Sequence, residues 1–177
     1  MALAGRQQGY ALLLRRHREA VNRLAANLLG NADDALDVTQ EAFVSAFASL
    51  ARFDPQQPFR RWISRIAINK CRDLARRRRV RRFFTMARPL DEALEVADPA
   101  DTPEQALAAS RQVAQLRAAI ARLPAKLAEV LVLRGIEELS QAEAAAVLGI
   151  SPKAVETRLY RAKRALAEIL EPPPPES

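Results

Sequence analysis

The segment from Ser140 to Pro152 constrains the fold most tightly, because it spells the start of one helix, its end, and the start of another. Ser140-Gln141-Ala142-Glu143 has the form of a capping box, in which the serine side chain and the glutamate each satisfy a backbone N–H of the first turn. Gly149 offers the left-handed conformation that closes a helix, and Ser151-Pro152 supplies an N-cap and a first helical residue. Ala145 stands where two helices must approach closely, and Val155 packs the second back on the first. The spacing therefore predicts helix, turn, helix. The second of these, Pro152 to about Leu170, carries Val155, Leu159, Ala162 and Leu166 on its inner face. Ser151 stands at its N-terminus, and Lys153, Glu156, Thr157, Arg158, Tyr160, Arg161 and Arg164 remain outside, where the first of them can enter a major groove.

A second information-dense stretch runs from Asp33 to Arg82. Asn31-Ala32-Asp33-Asp34 reads as a helix start, with a capping side chain and early acids at the positive end of the helix dipole. Leu36, Phe43, Phe47 and Leu50 recur at helical spacing and predict a core face. Asp33, Asp37 and Glu41, with Gln40 beside them, form an acidic stripe left for water or a partner. Phe53-Asp54-Pro55-Gln56-Gln57-Pro58-Phe59 breaks the helix and sets an aromatic ring at each end of a loop. Trp62, Ile63, Ile66, Ala67 and Leu74 then give another apolar stripe, around which arginines crowd. From Arg60 to Arg88 twelve Lys or Arg face one acid, Asp73, and that local excess predicts a polyanionic partner.

The bounds agree. The 177 residues are 49% hydrophobic with a formal net charge of +7, enough for one or two modest cores and better suited to nucleic acid than to acidic small molecules. Few glycines and almost no alternating pattern predict an all-α chain. Tyr10, Leu13, Leu14, Val21, Leu24 and Leu28 predict a first helix ending at Gly30. Residues 83 to 103 read as an acidic linker, with Pro89, Pro99 and Pro103 among Asp91, Glu92, Glu95, Asp98 and Asp101. Beyond it Leu107, Val113, Leu116, Ile120 and Leu123 predict a helix, Pro124 opens the next element, and Leu127, Val130, Leu131 and Leu133 continue it. The expected layout is two small helical domains, 10 to 82 and 104 to 170, joined by that flexible linker and followed by a Pro-rich tail, 171 to 177. No apolar run approaches the roughly 20 residues of a membrane span, and no signal peptide opens the chain, so a cytoplasmic location without membrane insertion is expected.

The run Asp33-Asp34-Ala35-Leu36-Asp37-Val38-Thr39-Gln40-Glu41-Ala42-Phe43, followed by Trp62-Ile63-Ser64-Arg65-Ile66-Ala67-Ile68-Asn69, resembles region 2 of the extracytoplasmic-function sigma factors of bacterial RNA polymerase. The helix-turn-helix resembles region 4 of the same family. The resemblance implies that Asp37, Gln40, Glu41 and Val44 dock on the beta-prime clamp helices of core RNA polymerase, with the beta flap as a further contact. It implies that Phe53, Phe59, Trp62, Arg65, Asn69, Arg72, Asp73 and Arg76 open the minus-ten element of promoter DNA, Asn69 and Asp73 facing a flipped base and the arginines holding phosphates. Ser151, Lys153, Glu156, Thr157, Arg158, Tyr160 and Arg161 are then expected at the duplex minus-thirty-five element, with an anti-sigma factor as a further partner. Many relatives carry a basic residue where Glu156 stands; here it would accept from cytosine or orient Arg161.

Several residues admit two readings. Trp62 fits the buried stripe as well as DNA contact. Arg76 to Arg79 fit a solvated helix end as well as phosphate contacts. Cys71, between Lys70 and Arg72, is a packing residue or a thiol activated by its basic neighbours. His17 lies among arginines as a solvated residue. A lone cysteine and a lone histidine supply neither a disulfide nor a metal site, no cofactor or small-molecule ligand is expected, and the carboxylates lack the second cluster that a metal-dependent nuclease needs. An enzyme is therefore disfavoured. The alternative is a helix-turn-helix regulator independent of polymerase, which leaves the acidic helix and the aromatic loop without a role.

Overall fold

The computed structural model describes residues 7–85 and 104–171, with side chains for 7–81 and 111–171, and every regular element among them is helical. The acidic linker and the Pro-rich tail of the sequence reading lie outside the described residues, apart from the linker's first three positions and Glu171. Helix α1 (Gln7–Leu29) ends where Gly30 takes a φ of 70°, and α2 (Ala32–Ala48) starts under Asn31, whose side chain accepts from the Asp34 N–H at 2.9 Å. A 3-10 turn, Leu50–Arg52, leads into the proline loop, and α3 (Phe59–Thr85) carries the arginines. The second half holds α4 (Glu104–Arg122), α5 (Ala125–Leu131), a π-helical turn at Val132–Ile136, α6 (Gln141–Leu148) and α7 (Pro152–Leu170).

The caps form as their side chains dictate. Ser140 accepts from the Glu143 N–H while the Glu143 carboxylate accepts from the Ser140 N–H, closing the capping box. Gly149 closes α6 at a φ of 67°, and the Ser151 hydroxyl accepts from the Ala154 N–H at 3.1 Å to start α7. Val155 and Ala162 are buried, with Leu159 and Leu166 partly buried beside them.

Two stripes depart from the sequence reading. Leu36 is 41% exposed, because Ala35 and Val38 face inward and rotate Leu36 onto the acidic side of α2. Val113 and Leu116 are exposed on α4, whose burial is concentrated at Ala119, Ile120 and Leu123. Helical periodicity places residues on a face, but neighbours decide which face is covered.

The two halves do not stand apart. One continuous apolar cluster takes Val21, Leu24, Phe43, Ile63 and Ile68 from the first half and Ile120, Leu133, Val147 and Val155 from the second. Burying a side chain such as Leu24 or Ile63 contributes about 1.5–3 kcal/mol, so this joint is a substantial part of the core. Close approach at its edge needs Gly30: a Cβ there would lie 2.9 Å from the Ala121 Cβ. Among the described residues no helix is long and apolar enough to cross a membrane, and no group of three or more metal-ligating side chains gathers.

Candidate nucleic-acid interface

Helix α2 presents Asp37, Gln40, Glu41 and Val44 together on its open side, where with Ser45 and Lys70 they line a shallow depression of about 420 Å³. Val44 is 69% exposed, and Leu36 adds a second uncovered apolar side chain to the same side of the helix. Glu41 is held toward α3 by Lys70 at 3.4 Å. An exposed stripe of acids and amides with two apolar anchors suits a basic, partly apolar partner rather than water alone.

The aromatic residues of the proline loop do not stand at opposite ends of an open pocket. Phe53, Phe59 and Trp62 pack on one another, with ring centroids 5.1 to 5.6 Å apart, and all three are partly buried. His17 stacks on Phe59 at 5.2 Å, and its pKa falls below the ordinary value through burial and then the nearby Arg16 and Arg60. Trp62 thus belongs to a partly buried cluster packed against the core, as its place in the apolar stripe predicts. The loop itself is pinned by Asp54, which accepts from the Gln56 N–H at 3.0 Å and from the Gln57 side chain at 3.1 Å.

Along α3 the polar face is already connected. Asn69 accepts from Arg72 at 3.2 Å, and Asp73 pairs with Arg76 at 2.9 Å. Arg78 ties α3 to α2 through Asp34 at 2.5 Å, so the run Arg76 to Arg79 is partly structural. Arg65 is exposed and stands against Gly149, whose Cβ, were there one, would lie 3.1 Å from its guanidinium. Cys71 faces inward; burial, then Glu129, pushes its thiol up to about 12, the reverse of activation by Lys70 and Arg72.

On α7 Lys153, Glu156, Thr157, Tyr160 and Arg161 are exposed, and Arg158 is half-buried. Glu156 pairs with Lys153 at 3.0 Å, not with Arg161, and Thr157 donates to the Lys153 carbonyl at 3.0 Å. Tyr160, 65% exposed, projects from the same side. A capped helix offering hydroxyls, cations and one aromatic side chain is a surface of the kind that enters a major groove.

These two surfaces fall in segments that match known models. Residues 13–81 match sigma-70 region 2, and residues 114–166 match sigma-70 region 4. The chain is 42% identical to the RNA polymerase sigma factor CnrH of Cupriavidus metallidurans over 173 residues, covering 96% of this chain and 91% of that one. The chain belongs to the extracytoplasmic-function sigma factors. It is also 29% identical to the ECF sigma factor SigW of Bacillus subtilis, over 94% of this chain and 91% of that one. The solved structure of CnrH in complex with the cytosolic domain of CnrY superposes with a TM-score of 0.71 at 36% identity, over 96% of this chain and 92% of that one. The sigma factor RpoE of Bartonella quintana, solved with the anti-sigma factor NepR, shares the fold with a TM-score of 0.70 at 22% identity, over 92% and 97% of the two chains.

Within this sigma factor, the region 2 match therefore spans the α2 stripe, the aromatic cluster and the polar face of α3, and the region 4 match spans the capped turn and α7 as far as Leu166. Sequence reasoning missed two buried acids of the second half, Glu129 and Glu137. Glu129 sits in an otherwise apolar stretch, Ala128 to Leu133, which was the available signal that its side chain turns inward and needs a partner; Glu137, beside Glu138, carries no such signal.

Proposed function

We propose that this sigma factor docks on core RNA polymerase through Asp37, Gln40, Glu41 and Val44 of α2, opens the minus-ten element with the aromatic cluster and the Asn69–Arg72–Arg76 face of α3, and reads the minus-thirty-five element with α7. The observation that carries this reading is the α2 stripe. It leaves two apolar side chains uncovered among carboxylates on a helix that otherwise buries its hydrophobic residues well. A free-standing DNA-binding regulator would need α7 but has no use for that stripe. Strand opening means unstacking bases, at a few kcal/mol per flipped base, and capturing them against aromatic rings and amides. Phe53, Phe59, Trp62 and Asn69 have the chemistry for that capture. The protein carries out no covalent chemistry of its own and works in the cytoplasm. Because CnrH and the Bartonella RpoE were each solved bound to a partner, CnrY and the anti-sigma factor NepR, an anti-sigma factor is the regulator we assign here.

Run-off transcription with purified core polymerase and fragmented genomic DNA tests the reading, with the protein added or withheld. Discrete transcripts are expected only in its presence. Asp37→Arg with Glu41→Arg should weaken core binding by about two orders of magnitude, through like charge placed in a docked interface, and leave circular dichroism unchanged. Unchanged core binding would remove the docking assignment.

A further inference from the structure

Helix α1 meets the start of α3 at His17, and the meeting point leaves a cationic edge beside the aromatic cluster. The imidazole lies against Phe59 with ring centroids 5.2 Å apart, and Phe59 in turn contacts Phe53 and Trp62, so four rings form one connected surface. His17 is only partly buried, and among the described residues neither of its ring nitrogens finds a hydrogen-bond partner. Arg15, Arg16 and Arg18 flank it in sequence. All three are exposed, and none forms an ion pair among the described residues. Arginines gathered around an imidazole repel one another and disfavour its protonated form, and an arriving anion relieves both costs.

We propose that Arg16 and His17 of α1 extend the single-strand site: together with Arg60 they hold the backbone phosphate of the unpaired DNA strand next to the base taken up by Phe59. This contact rests on the proposed reading that the aromatic cluster captures an unpaired base, and it gives a role to α1, which that reading leaves without one.

Distance and charge both suit that ligand. Stacked nucleotides advance about 3.4 Å along a strand, so a ring 5.2 Å from Phe59 falls about one to two nucleotides from a base stacked there. Arg60 is already oriented, donating to the Glu137 carbonyl at 2.9 Å and to its carboxylate at 3.2 Å. Both bonds leave from Nη2, and the side chain keeps 43% of its surface open, so its other N–H groups remain for a phosphate. The charges that act on His17 are Arg16 of its own helix and Arg60 of α3, while the acids across from them, Glu137 and Glu143, act on Arg60. Burial and then those two arginines hold the imidazole below its ordinary pKa, which leaves it mostly neutral at neutral pH. A phosphate beside it favours the imidazolium and raises that pKa. Binding therefore takes up a proton, and affinity rises as pH falls through the bound-state value. The effect can be traced to one residue, because the chain contains one histidine.

The test uses the full chain and a thymidine single strand about 20 nucleotides long, titrated by fluorescence anisotropy across a salt series. Arg16→Gln should weaken binding about threefold and flatten the log–log salt slope by about 0.7, the share of one phosphate on a single strand. Arg18→Gln removes the same charge about 200° round the helix from Arg16, and it should keep the wild-type slope. His17→Phe keeps a ring against Phe59 but cannot titrate. Between about pH 8 and pH 6 the wild-type affinity should rise about threefold more than that of His17→Phe. Arg16→Gln behaving as Arg18→Gln, or a pH response that survives His17→Phe, would overturn the α1 contact. Asn69→Ala on a duplex promoter with holoenzyme reports base capture separately. Strand opening lost there, beside wild-type behaviour of Arg16→Gln and His17→Phe, would sink the α1 contact alone. Opening retained there would sink the capture reading, and the salt slope and pH response would still decide whether Arg16 and His17 hold a phosphate.

Discussion

Cys71 shows how far a residue's flanks can mislead. Lys70 and Arg72 adjoin it in sequence, yet Lys70 pairs with Glu41 and Arg72 with Glu129, while the thiol points into the core beside Ala25 and Val38. Burial raises its pKa to about 12 from 9.0. In the folded chain it should resist iodoacetamide at pH 8 for hours and react within minutes once denatured; equal rates in the two states would contradict the burial. The linkage has a definite sign. Below the unfolded pKa both states hold the proton and nothing changes, whereas between about pH 9 and 12 the unfolded thiolate is favoured and the fold loses stability. Asn69 is the opposite case. Its exposed amide accepts from Arg72, so it is both presented and oriented. Asn69→Ala should reduce strand opening about tenfold on duplex promoters and much less on pre-melted ones, measured by permanganate footprinting, because only the first requires base capture to offset unstacking. Equal loss on both templates would remove Asn69 from the melting step.

At the scale of elements, the helix ends were the most legible part of the chain. Capping is local, so Asn31, Ser140, Gly149 and Ser151-Pro152 announce themselves without knowledge of what packs where. Ser140→Ala should lower stability by about 1 kcal/mol in urea titrations, and a change below a few tenths would mean that the box is idle. Glu143 completes the box, and its hydrogen bonds with Ser140 hold its pKa below the ordinary value of 4.5. Its contribution is therefore present above that ordinary value and fades as pH falls through the lowered one, so Ser140→Ala should lose less stability at pH 3 than at pH 7. The π-helical turn at Val132–Ile136 and the positive φ of Glu138 escaped the sequence reading: Gly135 lies within the turn but takes no positive φ, and Glu138, which does, is not a glycine. Leu36 escaped for a different reason. Its spacing from Phe43 is helical, and only the packing of α1 against Ala35 and Val38 reveals that it lies on the open side.

For the whole molecule, two units were legible from the composition change after Arg82, but their joint was not. Long-range packing leaves no periodic trace, and the apolar run around Glu129 marks it as buried without naming Arg72 as its partner. Because one apolar cluster spans both halves, the free chain should unfold in a single calorimetric transition with equal calorimetric and van't Hoff enthalpies. Two resolved transitions would mean that the halves melt independently and that the joint contributes little.

The cleft shared by Arg72 and Arg158 bears on how such a protein spends its time in a cell. Chromosomal DNA is a reservoir of about 10⁶–10⁹ competing sites, and any permanently exposed set of guanidiniums would be soaked up by it. Arg72 and Arg158 are only partly withdrawn there, and Arg65 and Arg76 to Arg79 stay exposed, so the free chain meets that reservoir with most of its α3 cations outward.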